Sequence, residues 1–341
     1  MISRKEVAKL AGVSEATVSR VLNGVGPMKE ETRRRVQEAA DQLGYVPSAL
    51  AQRFARRRSG NLGVILPFVP KVHLFSTYYF SEILSGIGET AKQHGYDLLL
   101  MFREPEEKRD YAMLFRTQKV DACIVLGAQD IPEEREALAE LKAEGHPFCL
   151  VNQRFEEELG YMAVDADHEN GSFEAVTQLI ASGYSRIAFL NGPERYSNSR
   201  DRLAGYERAL QASGLPVRGE LLHEGNYSRK SGYEAASILS DKIKAGKVDA
   251  VFAANDRMAI GLMQRFAELG MKTGVDVAVV GYDNSDGSRL VHPQLSSVSV
   301  PFYEMGQLAA SLLLSEEAKG EASSLLPVSY IGRESSTPRR E

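Results

Sequence analysis

Apolar positions follow two different rhythms along the chain: helical spacing over the first 45 residues, then short β-rich runs alternating with amphipathic stretches. The sequence Ser3-Arg4-Lys5-Glu6 reads as a capping box, so a helix is predicted to start there, with Val7, Leu10 and Ala11 on its inner face and Gly12 as its left-handed stop. Gly12-Val13 makes the turn and Ser14 caps a second helix over residues 15–22. Val18, Val21 and Leu22 face inward, leaving Glu15, Ala16, Thr17, Ser19 and Arg20 on the outer face. A third helix, about 30–43, places Val36, Ala39, Ala40 and Leu43 on one stripe and closes a three-helix core. Small polar side chains and one arginine on an exposed helix suit the major groove of DNA, where hydroxyls reach phosphates and an arginine binds guanine bidentately. The arrangement is a helix-turn-helix.

From residue 61 the predicted strands are 62–66, 97–101, 122–126 and 148–151, then 187–190, 250–253 and 277–281, with helices between them such as 202–213 and 231–245. Alternation of this kind predicts an α/β fold of parallel sheets in two similar lobes. Ligands of such sheets sit at the carboxyl ends of the strands, so two facing lobes share a cleft. The expected domains are a headpiece at 1–47, a hinge and linker at 48–60, and a core at 61–341. Lobe 1 of that core is about 61–161 plus 291–322, and lobe 2 about 162–290 plus 323–336.

Charge sharpens the division. The 341 residues carry a net charge of −5, but residues 1–60 hold 12 Lys/Arg against 6 Asp/Glu, so a basic head joins an acidic body. A basic head supplies phosphate attraction and an acidic body is held clear of the duplex. The run Arg33-Arg34-Arg35 fits either a solvated helix face or peripheral phosphate contact. No apolar run approaches membrane-spanning length and the start of the chain lacks a signal-peptide core, so a cytoplasmic protein is expected. The two cysteines, Cys123 and Cys149, lie in apolar runs and read as buried thiols, with no metal or cofactor site implied.

The stretch Val7-Ala8-Lys9-Leu10-Ala11-Gly12-Val13-Ser14, followed by Thr17-Val18-Ser19-Arg20-Val21-Leu22-Asn23-Gly24 and by Leu43-Gly44-Tyr45-Val46-Pro47, resembles the headpiece of the LacI family of transcriptional regulators. The resemblance implies a base-reading role for Glu15, Ala16 and Arg20, and a phosphate-holding role for Thr17, Ser19 and Asn23. It also implies that the segment 48–55 folds as a hinge helix when paired with its dimer partner, inserting a side chain into the minor groove. That position, a leucine in the family, is Phe54 here, which keeps a wedge but alters the base step it favours. A plain flexible linker is the alternative.

The body resembles the same family through Arg202-Leu-Ala-Gly-Tyr206, Ala254-Asn-Asp-Arg-Met-Ala-Ile-Gly261 and Val280-Gly-Tyr-Asp-Asn284. By that resemblance Arg202, Asn255 and Asp283 are polar contacts to a small effector, with Tyr227, Tyr79 and Phe80 as aromatic walls. Asn255 could instead cap the following helix, and Asp283 could close a turn with Asn284. Aromatic walls accept sugars and purines alike, so a sugar or sugar derivative is the first but not the only effector class.

Rival readings are weaker. No G-x-G-x-x-G follows a strand and no nucleophile elbow or P-loop is present, which argues against a Rossmann-type or hydrolytic enzyme. The nearest approach to a catalytic cluster, Asp165, Asp167 and His168, reads as a helix N-cap with solvated acids. A transport-type solute-binding protein matches only the body, and a regulator using a protein co-regulator, as in the catabolite-control branch, remains an alternative. The expected molecule is a homodimer that reads a pseudo-palindromic operator, because the C-terminus lacks the leucine heptad a tetramer needs.

Overall fold

The computed structural model describes residues 2–24, 26–46, 58–68, 74–104, 107–156, 159–315 and 323–338. The expected hinge segment, with Phe54, lies outside the described residues. Two compact units are distinguished, Met1–Asn61 with Met113–Asp121 and Leu62–Ala112 with Ala122–Glu341.

In the first unit, helices α1 (Arg4–Ala11), α2 (Glu15–Asn23) and α3 (Glu30–Leu43) enclose one core. The Glu6 carboxylate accepts from the Ser3 amide at 2.7 Å and the Ser3 hydroxyl at 2.9 Å, and these bonds hold its pKa below the usual range. Gly12 closes α1 at φ 65°, a backbone conformation that costs a side-chain-bearing residue about 1 kcal/mol or more. Val7, Ala8, Ala11, Val18, Val36, Ala39 and Ala40 form the core, with Val21, Leu22, Leu43 and Tyr45 against it. The inner face of α1 differs from the expectation: Leu10 is 47% exposed and Ala8 is buried in its place. The core side of α1 runs along Val7, Ala8 and Ala11, where small residues meet the Ala39–Ala40 stretch of α3.

In the second unit, β1 (Asn61–Pro67), β2 (Asp97–Arg103), β3 (Ala122–Leu126), β4 (Phe148–Val151), β5 (Ala163–Ala166) and β11 (Ser324–Leu326) form one sheet in the order β11-β5-β4-β3-β1-β2. A second sheet, in the order β7-β6-β8-β9, holds β6 (Ile187–Asn191), β7 (Leu222–Glu224), β8 (Ala250–Ala253) and β9 (Ala278–Val280). The pairs within the second sheet are parallel, as are β1–β3, β3–β4, β4–β5 and β5–β11 in the first. The crossover helices are α4 (Tyr78–Gln93), α5 (Ala112–Arg116), α6 (Pro132–Ala143), α7 (His168–Ala181), α8 (Ser197–Ala212), α9 (Arg229–Lys244), α10 (Asp256–Glu268), α11 (Asp286–Leu290) and α12 (Phe302–Leu314). Central strands such as β3 and β4 are buried at every residue, which is why they read as unbroken apolar runs.

The expected lobe boundary shifts. Residues 162–290 and 323–336 are expected in lobe 2, yet β5 pairs with β4 (Val151↔Val164) and β11 with β5 (Ser324↔Val164) in the first sheet. Parallel ladder hydrogen bonds add β5 to that sheet before the chain leaves it, and β11 when the chain returns.

Three helix pairs meet along glycines. A Cβ on Gly232 of α9 would lie 2.1 Å from the Met258 carbonyl of α10, and one on Gly261 would lie 2.1 Å from the Arg229 carbonyl. A Cβ on Gly306 of α12 would lie 2.2 Å from the Ile83 carbonyl of α4, and one on Gly205 of α8 2.1 Å from the Glu169 carbonyl of α7.

Where the chain passes between the lobes, β10 (Ser297–Ser299) pairs antiparallel with β12 (Ser329–Ile331), placing Val298 opposite Tyr330. Hydroxyls crowd this crossing. Ser296 N donates to Ser335 Oγ (2.8 Å), Ser335 Oγ to the Val279 carbonyl (2.6 Å), Ser336 Oγ to Ser296 Oγ (2.7 Å) and Ser297 Oγ to Asp256 Oδ1 (2.6 Å). Among the described residues no helix is long and apolar enough to cross a membrane.

Candidate nucleic-acid face and effector cleft

The N-terminal site is the outer face of α2. Ser14 Oγ accepts the Thr17 amide at 3.1 Å, which fixes the start of the helix and its rotation. Glu15, Ala16 and Arg20 are exposed; Thr17 and Ser19 are half-buried. Asn23 is buried, and its Nδ2 donates to Ser19 Oγ at 3.2 Å. Glu15 also stands 3.6 Å from Arg4, in an exposed ion pair that is easily exchanged for another partner.

In the second unit a cavity of about 520 Å³ opens between the carboxyl ends of the two sheets, and Tyr79, Phe80, Arg202, Tyr227, Asn255 and Asp283 all line it. Tyr79 and Phe80 come from the first turn of α4, their rings 4.6 Å apart edge to face, and Tyr79 meets Phe302 at 5.1 Å. Arg202 projects from α8 and is 2% exposed. Its guanidinium lies 4.2 Å from the centre of the Tyr282 ring, with Nη1 3.4 Å from the Tyr227 hydroxyl and Nη2 3.4 Å from His168 Nδ1. Arg202 Nε has no hydrogen-bond partner among the described residues.

Asn255 does cap α10, accepting from Met258 N at 2.9 Å, and its Nδ2 donates to the Tyr227 carbonyl at 3.0 Å. One amide thus anchors a helix and the loop that carries the aromatic wall. Tyr227 (φ 62°) and Asp283 (φ 105°) both adopt the left-handed region, a strain of about 1–3 kcal/mol each for residues with side chains. Burial, and next the neighbouring Asp256, push the Asp283 carboxyl well above the usual range. Asp256 is itself held by Ser285 N (2.7 Å), Ser285 Oγ (2.8 Å) and Ser297 Oγ (2.6 Å).

Residues at strand ends complete the cleft. Gly127 and Asn152 line it, as do Gln153 and Asn198; Arg154 turns away to bind Asp165 at 2.9 Å and also pairs with Asp201. The Asp165–His168 segment departs from the solvated cap expected. Asp167 accepts from Asn170 N at 3.1 Å as a cap, but Asp165 and His168 are only 2% and 1% exposed. Burial pushes Asp165 up to about 6 in spite of Arg154. His168 Nε2 lies 2.8 Å from Asn152 Oδ1, so this nitrogen carries the proton, leaving the Nδ1 lone pair for Tyr282 OH at 3.2 Å and for Arg202. Burial and then the Arg202 charge hold His168 well below the usual imidazole range. The signal missed in the sequence was the spacing from Asp165 to His168, which buries both behind the cleft wall, with His168 against Asn152 and Arg202, as β5 hands over to α7.

A second buried group forms on the first-lobe wall. Glu134, fully buried, accepts from Arg103 Nη1 (2.7 Å), Arg109 Nε (2.8 Å) and the Tyr111 hydroxyl (2.8 Å). Arg103 and Arg109 also line the cavity. Among the described residues no His/Cys/Asp/Glu group is placed to hold a metal.

Residues 4–48 match the family model "Bacterial regulatory proteins, lacI family", and residues 176–336 match "Periplasmic binding protein-like domain". Catabolite control protein A of Priestia megaterium is 35% identical over 311 residues, covering 90% of this chain and 90% of that protein. The chain belongs to the LacI family. The repressor CytR of Escherichia coli K12 is 32% identical over 314 residues, 92% of this chain and 89% of the relative. Among solved structures, the lac repressor dimer bound to operator and an anti-inducer superposes with a TM-score of 0.82 at 28% identity, covering 98% of this chain and 99% of that one. The CelR–cellobiose complex superposes at 0.73 and 30% identity, over 98% and 100%. The LacI-family chain is a DNA-binding transcriptional regulator with a helix-turn-helix and a two-lobed effector-binding core.

Proposed function

We propose that this regulator is a cytoplasmic, homodimeric repressor without enzymatic activity, whose grip on a pseudo-palindromic operator is set by a sugar or sugar derivative bound in the cleft. One observation carries the effector assignment: six residues picked out on resemblance converge on a single cavity, with a buried arginine whose Nε is unpartnered. On the DNA side, Glu15, Ala16 and Arg20 read base edges from the exposed face of α2. Thr17, Ser19 and Asn23 hold phosphates once Asn23 exchanges its bond to Ser19. The headpiece spans 1–47, the hinge 48–60 and the core 61–341, and Phe54 wedges the minor groove. Effector and operator affinities change by the same factor, since coupling between two sites is reciprocal.

The test is fluorescence anisotropy of a labelled pseudo-palindrome from the gene's own neighbourhood, titrated with and without a panel of sugars and purines. Expected are salt-sensitive binding and a shift of tenfold or more with one compound. Failure to bind any neighbouring palindrome at low salt overturns the reading. The 35% identity to Catabolite control protein A favours one second reading, a regulator using a protein co-regulator; it predicts that a partner protein, rather than a metabolite, shifts the titration.

A further inference from the structure

The charges around the cleft are strongly one-sided. Arg103, Arg109, Arg195, Arg202 and Arg257 line it, and the one acid among the described lining residues is Asp283. Among the described residues Glu134 is the one carboxylate paired with Arg103 and Arg109, so it offsets one of two positive charges on the first-lobe wall. On the second-lobe wall Arg257, half-buried beside the N-cap of α10, makes no hydrogen bond or ion pair among the described residues. Burial lowers its pKa while Asp283 works against that shift. Asp283 is a poor counter-charge, because burial favours its neutral form. A partly desolvated cation without a partner is unfavourable, and a ligand that brings the missing negative charge offsets that cost. A neutral sugar would satisfy hydroxyl-binding groups such as Asn152 and Asn198 but leave these guanidinium groups uncompensated. Planar arginine forks fit the paired oxygens of phosphate and carboxylate.

Resting on the proposal that the cleft is the effector site, we infer that the effector carries an anionic group, a phosphate ester or a carboxylate on a sugar-sized body. Arg257 and the Arg103–Arg109 pair select that group. The aromatic wall of Tyr79, Phe80 and Phe302 receives the body of the ligand.

The experiment is thermal melting and calorimetric titration of the full-length protein with inorganic phosphate, a set of hexose 6-phosphates, the matching hexuronates and the parent neutral hexoses. Stabilisation by a phosphorylated sugar, or by a uronate, but not by its parent hexose is the expected result, and which of the two acts identifies the anion. In Arg257→Gln, a change that removes no protein partner and leaves cooperative melting intact, affinity for the anionic compound falls roughly ten- to hundredfold while weak parent-hexose binding is unmoved. Tighter binding of the neutral hexoses, or anion binding unaltered in R257Q, overturns the inference and leaves the effector cleft standing. No stabilisation by any compound also overturns it, and the operator titration then decides the broader reading on its own.

Discussion

His168 offers a test of whether burial or ion pairing governs the layer of side chains behind the cleft wall. Its Nε2 stands 3.5 Å from Asp165 Oδ1, close enough for an ion pair if the ring were protonated, but 2.8 Å from Asn152 Oδ1. Asp165 is already matched by Arg154, and Arg202 faces the other ring nitrogen, so a second positive charge has no favourable place to sit. The folded-state pKa therefore lies well below the ordinary 6.5. Its sign follows from proton counting. Below 6.5 the unfolded chain binds a proton at this histidine that the folded chain refuses, so the contribution is complete above 6.5 and is lost as pH falls below it. Between pH 7.5 and 5.5 the loss is on the order of 1 kcal/mol, or a few degrees in melting temperature for a unit of this size. Asp165 acts in the opposite sense. Its carboxyl is raised from 3.8 to about 6, so it favours the folded state in acid and loses that contribution as pH rises through this window. Replacing His168 by Gln separates the two, since Asp165 remains in both proteins. The difference in melting temperature, wild type minus His168→Gln, is expected to shrink steadily from pH 7 to pH 5.5. A difference that grows in acid would refute the reasoning and show that the Asp165 ion pair outweighs desolvation.

Three other outcomes follow from single contacts. Gly232→Ala drives a Cβ into the Met258 carbonyl at 2.1 Å and costs roughly 2–3 kcal/mol by urea denaturation, whereas Gly88→Ala, whose Cβ meets only Leu98 Cδ1 at 3.6 Å, is neutral or stabilising. Glu134→Gln leaves Arg103 and Arg109 buried without their shared carboxylate and lowers stability by about 3–5 kcal/mol in the same assay; an effect under about 1 kcal/mol would mean water reaches the group. Cys123 and Cys149, both fully buried and with thiol pKa values raised by that burial, Cys149 up to about 12, react with a thiol reagent only after unfolding.

How far the sequence reveals this molecule depends on how local the determining interactions are. Helices α1 and α2 start at serine caps and all three helices of the first unit stop at a glycine, so these signals are local, and the reading misses the lean of α1 toward Ala8. Strands β3, β4 and β8 are apolar throughout because both faces are covered, and that pattern survives without any partner in view. Strands of three or four residues, such as β5, β7 and β10 to β12, leave no periodicity to detect; only the ladder defines them, which is why the lobe boundary was set one strand early. The cavity wall was legible through Arg202, Asn255 and Asp283, whose neighbouring motifs stand out in the chain. Glu134 was not, since it lies in a charged stretch, Glu133-Glu134-Arg135-Glu136, that reads as a solvated helix face. Its burial depends on Arg103 and Arg109, 25 to 31 residues away.

The serine crossing at β10 and β12 behaves as a lubricated joint. A hydroxyl rotates about its C–O bond at little cost and can donate in one direction while accepting from two others. When the lobes turn about this ribbon, Ser296, Ser297, Ser335 and Ser336 can trade one oxygen for the next without any of them passing through an unbonded state. An apolar joint at the same place would interlock like the glycine-lined helix pairs and resist turning. In any turn of the lobes about this ribbon, the hydroxyl-rich crossing would let one hydrogen bond replace another, leaving the groups at the cleft mouth to decide which position is held.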